Sequence, residues 1–294
     1  RILNAFAQER PNVFEQNQEK LNSALRMLGR GELVGKTLLD ERVHSRHSRR
    51  VNELLQNEQK KQQNSGLGER ENIRFLTIIH AVTAKGDDEG IVEALRLKQM
   101  LEDIISKKEF TFIGVIEGEI INLEKLRKFA KENPGKDTKK LNLCEILNSD
   151  TTRTGSSLLI HIHGVCFSKT DKGFDEVANK LRRVWSNDYQ VELKKTYTQN
   201  TTIKNLQNIA RYITKGGCDW QNDSHSLKYK MGFTSEDFET AWAYSTKKRE
   251  DEQEAEAIED TMALNSDEIV SLAAFVDKLM RLDENQTGYL VIIK

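Results

Sequence analysis

Two histidines stand at alternate positions in an apolar run of the sequence, SSLLIHIHGVCF at 156–167. Because side chains on a strand alternate between its two faces, His161 and His163 would project from one face about 6 to 7 Å apart along the chain. Imidazole is a common metal ligand, so two imidazoles in this arrangement can share one ion. The alternative is a pair of hydrogen-bonded histidines on a sheet face, and the spacing alone does not separate the two.

A tyrosine and a lysine carry the second chemical signal. Tyr212 and Lys215 lie three positions apart in TIKNLQNIARYITKG at 202–216, which has the spacing of an amphipathic helix, so they are neighbours on one helix face. A phenol with a reference pKa of about 10 is a weak nucleophile at neutral pH unless a cation or a metal lies close. The alternative is an aromatic residue at the edge of a core beside a surface charge.

Strand and helix signals interleave around these residues, which indicates an α/β or α+β domain with a central sheet. Strand-like runs lie at 73–83, 109–121, 156–167 and 189–197, and helix-like runs at 90–108, 123–133, 173–187 and 202–216. His80, at the end of the first run, is expected to be structural.

Composition changes at both ends of this domain. Residues 1–66 are polar with helical leucine spacing. The segment QQNSGLGEREN at 62–72 is polar and contains two glycines, which is typical of a boundary between domains. Residues 234–294 are mainly helical and acidic, and GYLVIIK at 288–294 has the character of a short strand returning to a sheet. We therefore predict a helical N-terminal arm (1–66), a central domain (67–233) and a mainly helical C-terminal module (234–294).

The chain is rich in charged residues, but its positive and negative charges nearly cancel. Of its 294 residues 31% are charged and 37% hydrophobic, with a formal net charge of −1, so a polyanion would need a local basic patch. No run reaches the roughly 18 apolar residues of a membrane span. Three widely spaced cysteines without a C-x-x-C pair indicate reduced thiols.

One motif resembles a nucleotide-binding loop but lacks the first glycine of that loop. GRGELVGKT at 29–37 approaches G-x-x-x-x-G-K-[ST], but the position that requires the first glycine holds Arg30. The preceding residues also have helical spacing, whereas a phosphate loop follows a strand. Nucleotide hydrolysis is therefore disfavoured.

The order of the motifs resembles the HUH endonucleases, specifically the single-tyrosine initiators of rolling-circle replication. The resemblance lies in FLTIIHAVT at 75–83, HIHGV at 161–165 and RYITK at 211–215, and it covers about 73–233. Conjugative relaxases of the same superfamily place the tyrosine before the histidines, so this chain is similar to an initiator. The resemblance implies an α+β fold with a central antiparallel sheet flanked by helices, carrying helical N- and C-terminal additions.

The resemblance also implies a reaction. A divalent ion, Mg²⁺ or Mn²⁺, would be held by His161, His163 and an acidic third ligand, for which Glu117 is favoured and Glu119 or a water is the alternative. Tyr212 would attack the scissile phosphate to give a 5′-phosphotyrosine link and a free 3′-hydroxyl, with Lys215 stabilising the charge. The site would be open on one side to admit the phosphate.

Basic and aromatic residues near the motifs are candidates for DNA contacts. Phosphate contacts are predicted for Arg182, Arg183, Lys194, Lys195 and Arg211, and base stacking for Trp185 or Tyr197. The implied partners are single-stranded DNA at an origin, with a hairpin or flanking duplex, and a host helicase and polymerase. One tyrosine on the nucleophile helix makes a homodimer plausible, and no membrane partner is expected.

Other functions are compatible with the same residues. A single-tyrosine transposase of this superfamily would share the chemistry, and a non-catalytic DNA-binding or metal-binding module would tolerate any residue at position 212. The expected location is the bacterial cytoplasm for a plasmid or phage protein, or the nucleus for a protein of a eukaryotic virus.

Overall fold

The interleaved strand and helix signals form a single sheet with helices packed on it. The computed structural model describes residues 41–62, 71–84, 87–105, 110–132, 139–147, 155–196, 200–214, 266–285 and 287–294. The strands are β1 (Ile73–Ala84), β2 (Phe110–Asn122), β3 (Ser156–Ser168), β4 (Val191–Lys195) and β5 (Leu290–Ile293). The helices are α1 (Glu41–Gln62), α2 (Asp87–Ile105), α3 (Leu123–Glu132), α4 (Lys139–Leu147), α5 (Asp171–Val184), α6 (Thr202–Ile213) and α7 (Ser266–Met280).

The sheet has the order β4-β1-β3-β2-β5, and every neighbouring pair of strands is antiparallel. The histidine strand β3 lies at its centre, and every residue of β3 after Ser156 is buried. A strand buried on both faces favours a near-continuous apolar run, which explains the composition of 156–167. The expected α+β class, with a central antiparallel sheet flanked by helices, is confirmed.

Helices cover both faces of the sheet, and alternation along the strands separates two sets of contacts. On one face Phe275 of α7 packs so close to Gly118 that a Cβ there would lie 2.4 Å from its ring. On the same face Phe110 contacts Phe174 of α5. The other face, which includes Glu117, is contacted by α1 and α6, and we call it the site face.

The helix that carries Tyr212 is positioned by its cap and its buried side. Thr201 caps α6 by accepting a hydrogen bond from the backbone N–H of Lys204. The residues buried at helical spacing include Leu206, Ile209 and Ile213, so α6 packs through one side against the core. This packing fixes the rotation of the helix and brings Tyr212 to the sheet.

Both terminal regions contribute to the same core as the sheet. Val51 and Leu55 of α1 have no exposed surface and belong to the main hydrophobic cluster, as do Phe275 and Tyr289. β5 pairs with β2, so the predicted return of the last residues to a sheet is confirmed. The domain boundaries stay predictions, because the residues around 66 and 233 lie outside the described part of the chain, as do the segment 29–37, Tyr197 and Lys215.

Candidate metal site

Three buried ligand-type side chains converge on the site face. The antiparallel register of β2 and β3 places Glu117 directly opposite His161, and His163 follows two positions later on the same face. The Oε2 atom of Glu117 lies 3.5 Å from Nε2 of His161 and 3.8 Å from Nε2 of His163. One ligand atom from each of the three residues lies within 4.8 Å of the others.

The chemistry of this group fits a metal ion. Two imidazole nitrogens and one carboxylate oxygen form a mixed nitrogen and oxygen set of the kind that binds divalent transition metals. Within the described ranges, it is the one cluster of three or more histidine, cysteine or acidic residues that meets this geometry. The group could therefore hold a metal ion.

The burial of the group differs from the expected open site. The side chains of Glu117 and His161 have no exposed surface, and that of His163 is 2% exposed. Helices α1 and α6 contact β3, whereas the sequence pattern of β3 carries no information about which helices cover it. The three ligands therefore sit in a low-dielectric environment, where charge interactions are stronger than in water.

Of the two candidate acidic ligands, Glu117 is the one grouped with the histidines. Glu119 is also buried and projects from the same face, but its cross-strand partner is Leu159. The register of β2 against β3 decides between them, since a shift of two positions would exchange their places without changing the face.

Tyr212 lies against this group. Its ring centroid is 5.1 Å from that of His163, with the ring planes at 65°, and it is partly buried. The ring of Phe75 on β1 contacts Tyr212 edge-on at 6.0 Å and lies stacked against His163 at 5.8 Å. The tertiary structure thus brings the predicted nucleophile next to the histidine pair.

A second β1 residue contacts His163 and was not singled out from the sequence. Thr77 is the cross-strand partner of His163, and its Oγ1 lies 2.9 Å from Nδ1 of the imidazole. Thr77 and Phe75 are two apart in FLTIIHAVT and share a face, which is the one sequence signal that points to them.

The lysines predicted to bind DNA on β4 fall on different faces of the sheet. Lys194 lies opposite Phe75 on the site face, half-exposed, with its ammonium in an ion pair with Glu192 at 2.8 Å. Lys195 lies opposite Arg74, whose guanidinium stacks over a ring of α5, and so belongs to the other face. Lys194 is therefore with the candidate site and Lys195 is not.

The three predicted arginine contacts also separate. Arg211 is exposed on α6, immediately before Tyr212. Arg182 and Arg183 are exposed in the last turn of α5, the helix that packs on the face opposite the metal group. Arg211 therefore lies on the helix that carries Tyr212, whereas Arg182 and Arg183 lie on a helix of the opposite face.

Trp185 was expected to stack on bases, and its burial opposes this. It is 4% exposed, and its Nε1 donates a hydrogen bond to Nδ1 of His80 at 3.0 Å. Because indole only donates, Nδ1 of His80 carries no proton, and Nε2 donates to Glu93 at 2.9 Å. Burial lowers the pKa of His80, and Glu93 opposes this shift. His80 is a structural histidine, as expected.

A scan against protein-family models, a search of curated proteins and a search of solved structures each found no match for this chain. No helix in the described ranges has the length and apolarity needed to cross a bilayer.

Proposed function

We propose that this protein is a metal-dependent endonuclease of the HUH class that nicks and rejoins single-stranded DNA to initiate rolling-circle replication. The observation that carries the proposal is the contact of Tyr212 with His163 of the buried group that also contains Glu117 and His161. These residues come from a helix and two strands that are far apart in sequence. Their proximity in space supports the resemblance to the HUH endonucleases, and this support does not depend on the order of the motifs in the sequence.

The proposed metal ligands are Glu117, His161 and His163. When bound there, a divalent ion supplies a Lewis acid for the scissile phosphate. Mg²⁺ prefers oxygen ligands and Mn²⁺ accepts imidazole more readily, so we expect this two-nitrogen, one-oxygen set to bind Mn²⁺ more tightly than Mg²⁺.

The proposed reaction is a transesterification at phosphorus. The Oη of Tyr212 forms the new P–O bond while the bond from phosphorus to the 3′-oxygen breaks, which leaves a 5′-phosphotyrosine and a free 3′-hydroxyl. The proton lost from the phenol is balanced by the proton gained by the 3′-oxygen, so no oxidant or water is consumed. Contacts with His163 and Phe75 hold the tyrosine ring in one orientation, which lowers the entropic cost of attack. Lys215 keeps its predicted role in charge stabilisation.

The proposed DNA path follows the basic residues on the side of Tyr212. Lys194 and Arg211 are the phosphate contacts that the site placement favours, because Arg182, Arg183 and Lys195 lie with the opposite face. The proposed substrate is an unpaired origin strand beside a hairpin or duplex, with host helicase and polymerase as partners. Rejoining is the reverse reaction, in which a 3′-hydroxyl attacks the phosphotyrosine and releases Tyr212. A further cleavage to finish a round of transfer would need the tyrosine of a second protomer, or a hydrolytic step.

A non-catalytic metal-binding module is the second candidate function. The full burial of Glu117 and His161 favours it, since a buried ion with only protein ligands has no position for a phosphate. A transposase of the same superfamily would use the same residues but a different DNA substrate. It would cleave the ends of a transposable element instead of a plasmid or viral origin.

Covalent capture tests the proposal. We expect the protein, incubated with a pool of single-stranded oligonucleotides and Mn²⁺ or Mg²⁺, to form a heat-stable adduct on a denaturing gel. The adduct should disappear in Tyr212→Phe and in the His161→Ala, His163→Ala double variant. Tyr189→Phe is the matched control, because Tyr189 is an exposed tyrosine, 47% accessible, and the adduct should persist in it. An adduct that survives Tyr212→Phe, or metal binding without any adduct, would overturn the nuclease proposal.

A further inference from the structure

The two ring nitrogens of His163 have different neighbours. Nε2 belongs to the three-residue metal group and lies 3.8 Å from Oε2 of Glu117, beyond ordinary hydrogen-bond distance. Nδ1 lies 2.9 Å from Oγ1 of Thr77, which is an ordinary hydrogen-bond distance. The two sides of the imidazole therefore meet a candidate metal position and a hydroxyl.

We propose that Thr77 is a positioning residue that accepts a hydrogen bond from Nδ1–H of His163 and so holds Nε2 deprotonated for a metal ion. The inference rests on the metal-binding part of the proposed function and is independent of the nuclease step. A neutral imidazole carries one proton, so a proton held on Nδ1 leaves the lone pair on Nε2.

The strand geometry holds the hydroxyl in place. Thr77 and His163 are direct cross-strand partners in the middle of the β1–β3 ladder, where opposing side chains are close. Threonine is branched at Cβ, so few side-chain rotamers are accessible in a strand. Thr77 is also buried, which reduces competition from water for the hydrogen bond.

Phe75 constrains the same imidazole from its face. Its ring lies nearly parallel to that of His163, with the planes at 12° and the centroids 5.8 Å apart. The stacking opposes rotation of the imidazole plane, while the hydroxyl of Thr77 distinguishes Nδ1 from the carbon atom on the opposite side of the ring. Together the two β1 residues select both the plane and the tautomer.

The opposite hydrogen-bond direction would have the opposite consequence. If the Thr77 hydroxyl donated to Nδ1, the proton of a neutral His163 would lie on Nε2, the atom grouped with Glu117 and His161. That state excludes binding of a metal through Nε2. The direction of this one hydrogen bond therefore determines whether Thr77 promotes or opposes metal binding.

Three variants separate the hydroxyl from packing. Thr77→Val keeps the branched shape and removes the hydroxyl, whereas Thr77→Ser keeps the hydroxyl. Thr83→Val is the matched control, because Thr83 is a buried β1 threonine whose hydroxyl bonds backbone carbonyls at the far end of the strand. Circular dichroism establishes that each variant is folded before binding is measured.

Calorimetric titration of the metal-free full chain with Zn²⁺ and with Mn²⁺ gives the affinities. We expect Thr77→Val to weaken binding about 10- to 100-fold, the usual effect of losing a hydrogen-bond partner of a metal-bound histidine. Thr77→Ser and Thr83→Val should stay within about threefold of the wild type, well below that effect. Wild-type affinity in Thr77→Val, or equal losses in Thr77→Ser and Thr77→Val, would overturn the proposal.

Nitrogen-15 NMR of His163 in the metal-free protein gives a readout that does not depend on metal binding. We expect Nδ1–H in the wild type and in Thr77→Ser, and a shift toward Nε2–H in Thr77→Val. A predominant Nε2–H tautomer in the wild type would refute the role of Thr77. If neither ion binds the wild type but Nδ1–H is found, the proposed metal function fails and the role of Thr77 in setting the tautomer stands.

Discussion

Glu117→Gln tests the metal group most directly, because it removes a charge and keeps the size of a buried side chain. The carboxylate is one of three ligand groups that converge within 4.8 Å, and it has no exposed surface. A neutral amide binds divalent cations more weakly than a carboxylate does. Loss of a hydrogen-bond partner of a metal ligand typically weakens metal binding about 10- to 100-fold. We expect Glu117→Gln, which changes a ligand itself, to weaken metal binding by at least as much.

The expected loss can be converted to a change in thermal stability. An ion at about one hundred times its Kd stabilises the folded state by about 2.7 kcal/mol, and at a Kd one hundred times weaker by about 0.4 kcal/mol. For a folded unit of about 150 to 250 residues, a change of 1 kcal/mol shifts Tm by about 2 to 4 °C. The metal-induced rise in Tm of about 5–11 °C in the wild type should therefore fall to about 1–2 °C in Glu117→Gln for a hundredfold loss of affinity, and to about 3–6 °C for a tenfold loss.

The assay is thermal unfolding with excess Mn²⁺ and with a chelator, for the wild type, Glu117→Gln and Glu119→Gln. Glu119 is the matched control, since it is a buried carboxylate on the same face that pairs with Leu159 instead of a histidine. We expect Glu119→Gln to keep the wild-type rise. An undiminished rise in Glu117→Gln would refute the assignment of Glu117 as a ligand, and a loss confined to Glu119→Gln would exchange the two residues.

Two further predictions concern the fold. Leu55→Ala should lower the free energy of unfolding in urea by about 2 to 5 kcal/mol, because Leu55 of α1 is fully buried in the main core. Leu54→Ala, at a partly buried neighbour, should cost less, and equal costs would oppose a core role for α1. Burial lowers the pKa of His80 from its usual 6.5. Below pH 6.5 the unfolded chain therefore binds a proton that the folded protein does not, and the free energy of unfolding decreases as the pH falls. Acidification from about pH 7.5 to about pH 5.5 should therefore lower the Tm of the wild type more than that of His80→Gln, and parallel curves would contradict this.

The local elements follow directly from the sequence because their periods are local. Alternation over 156–167 is enough to place His161 and His163 on one strand face, and helical spacing over 202–213 is enough to give α6 a buried side. The same alternation puts Glu117 and Glu119 on one face of β2. These conclusions use only neighbours a few positions apart, whose geometry is set by backbone dihedrals.

The partners of these residues depend on interactions across the chain. Strand register, which pairs Glu117 with His161 and Thr77 with His163, is set by the packing of the whole sheet between its helices. The inward orientation of Trp185, at the end of α5, depends in the same way on His80, which lies on β1. Local sequence therefore determined which residues can act together on a face, and only the tertiary structure decided which of them meet, because register and helix docking are fixed by contacts between distant segments.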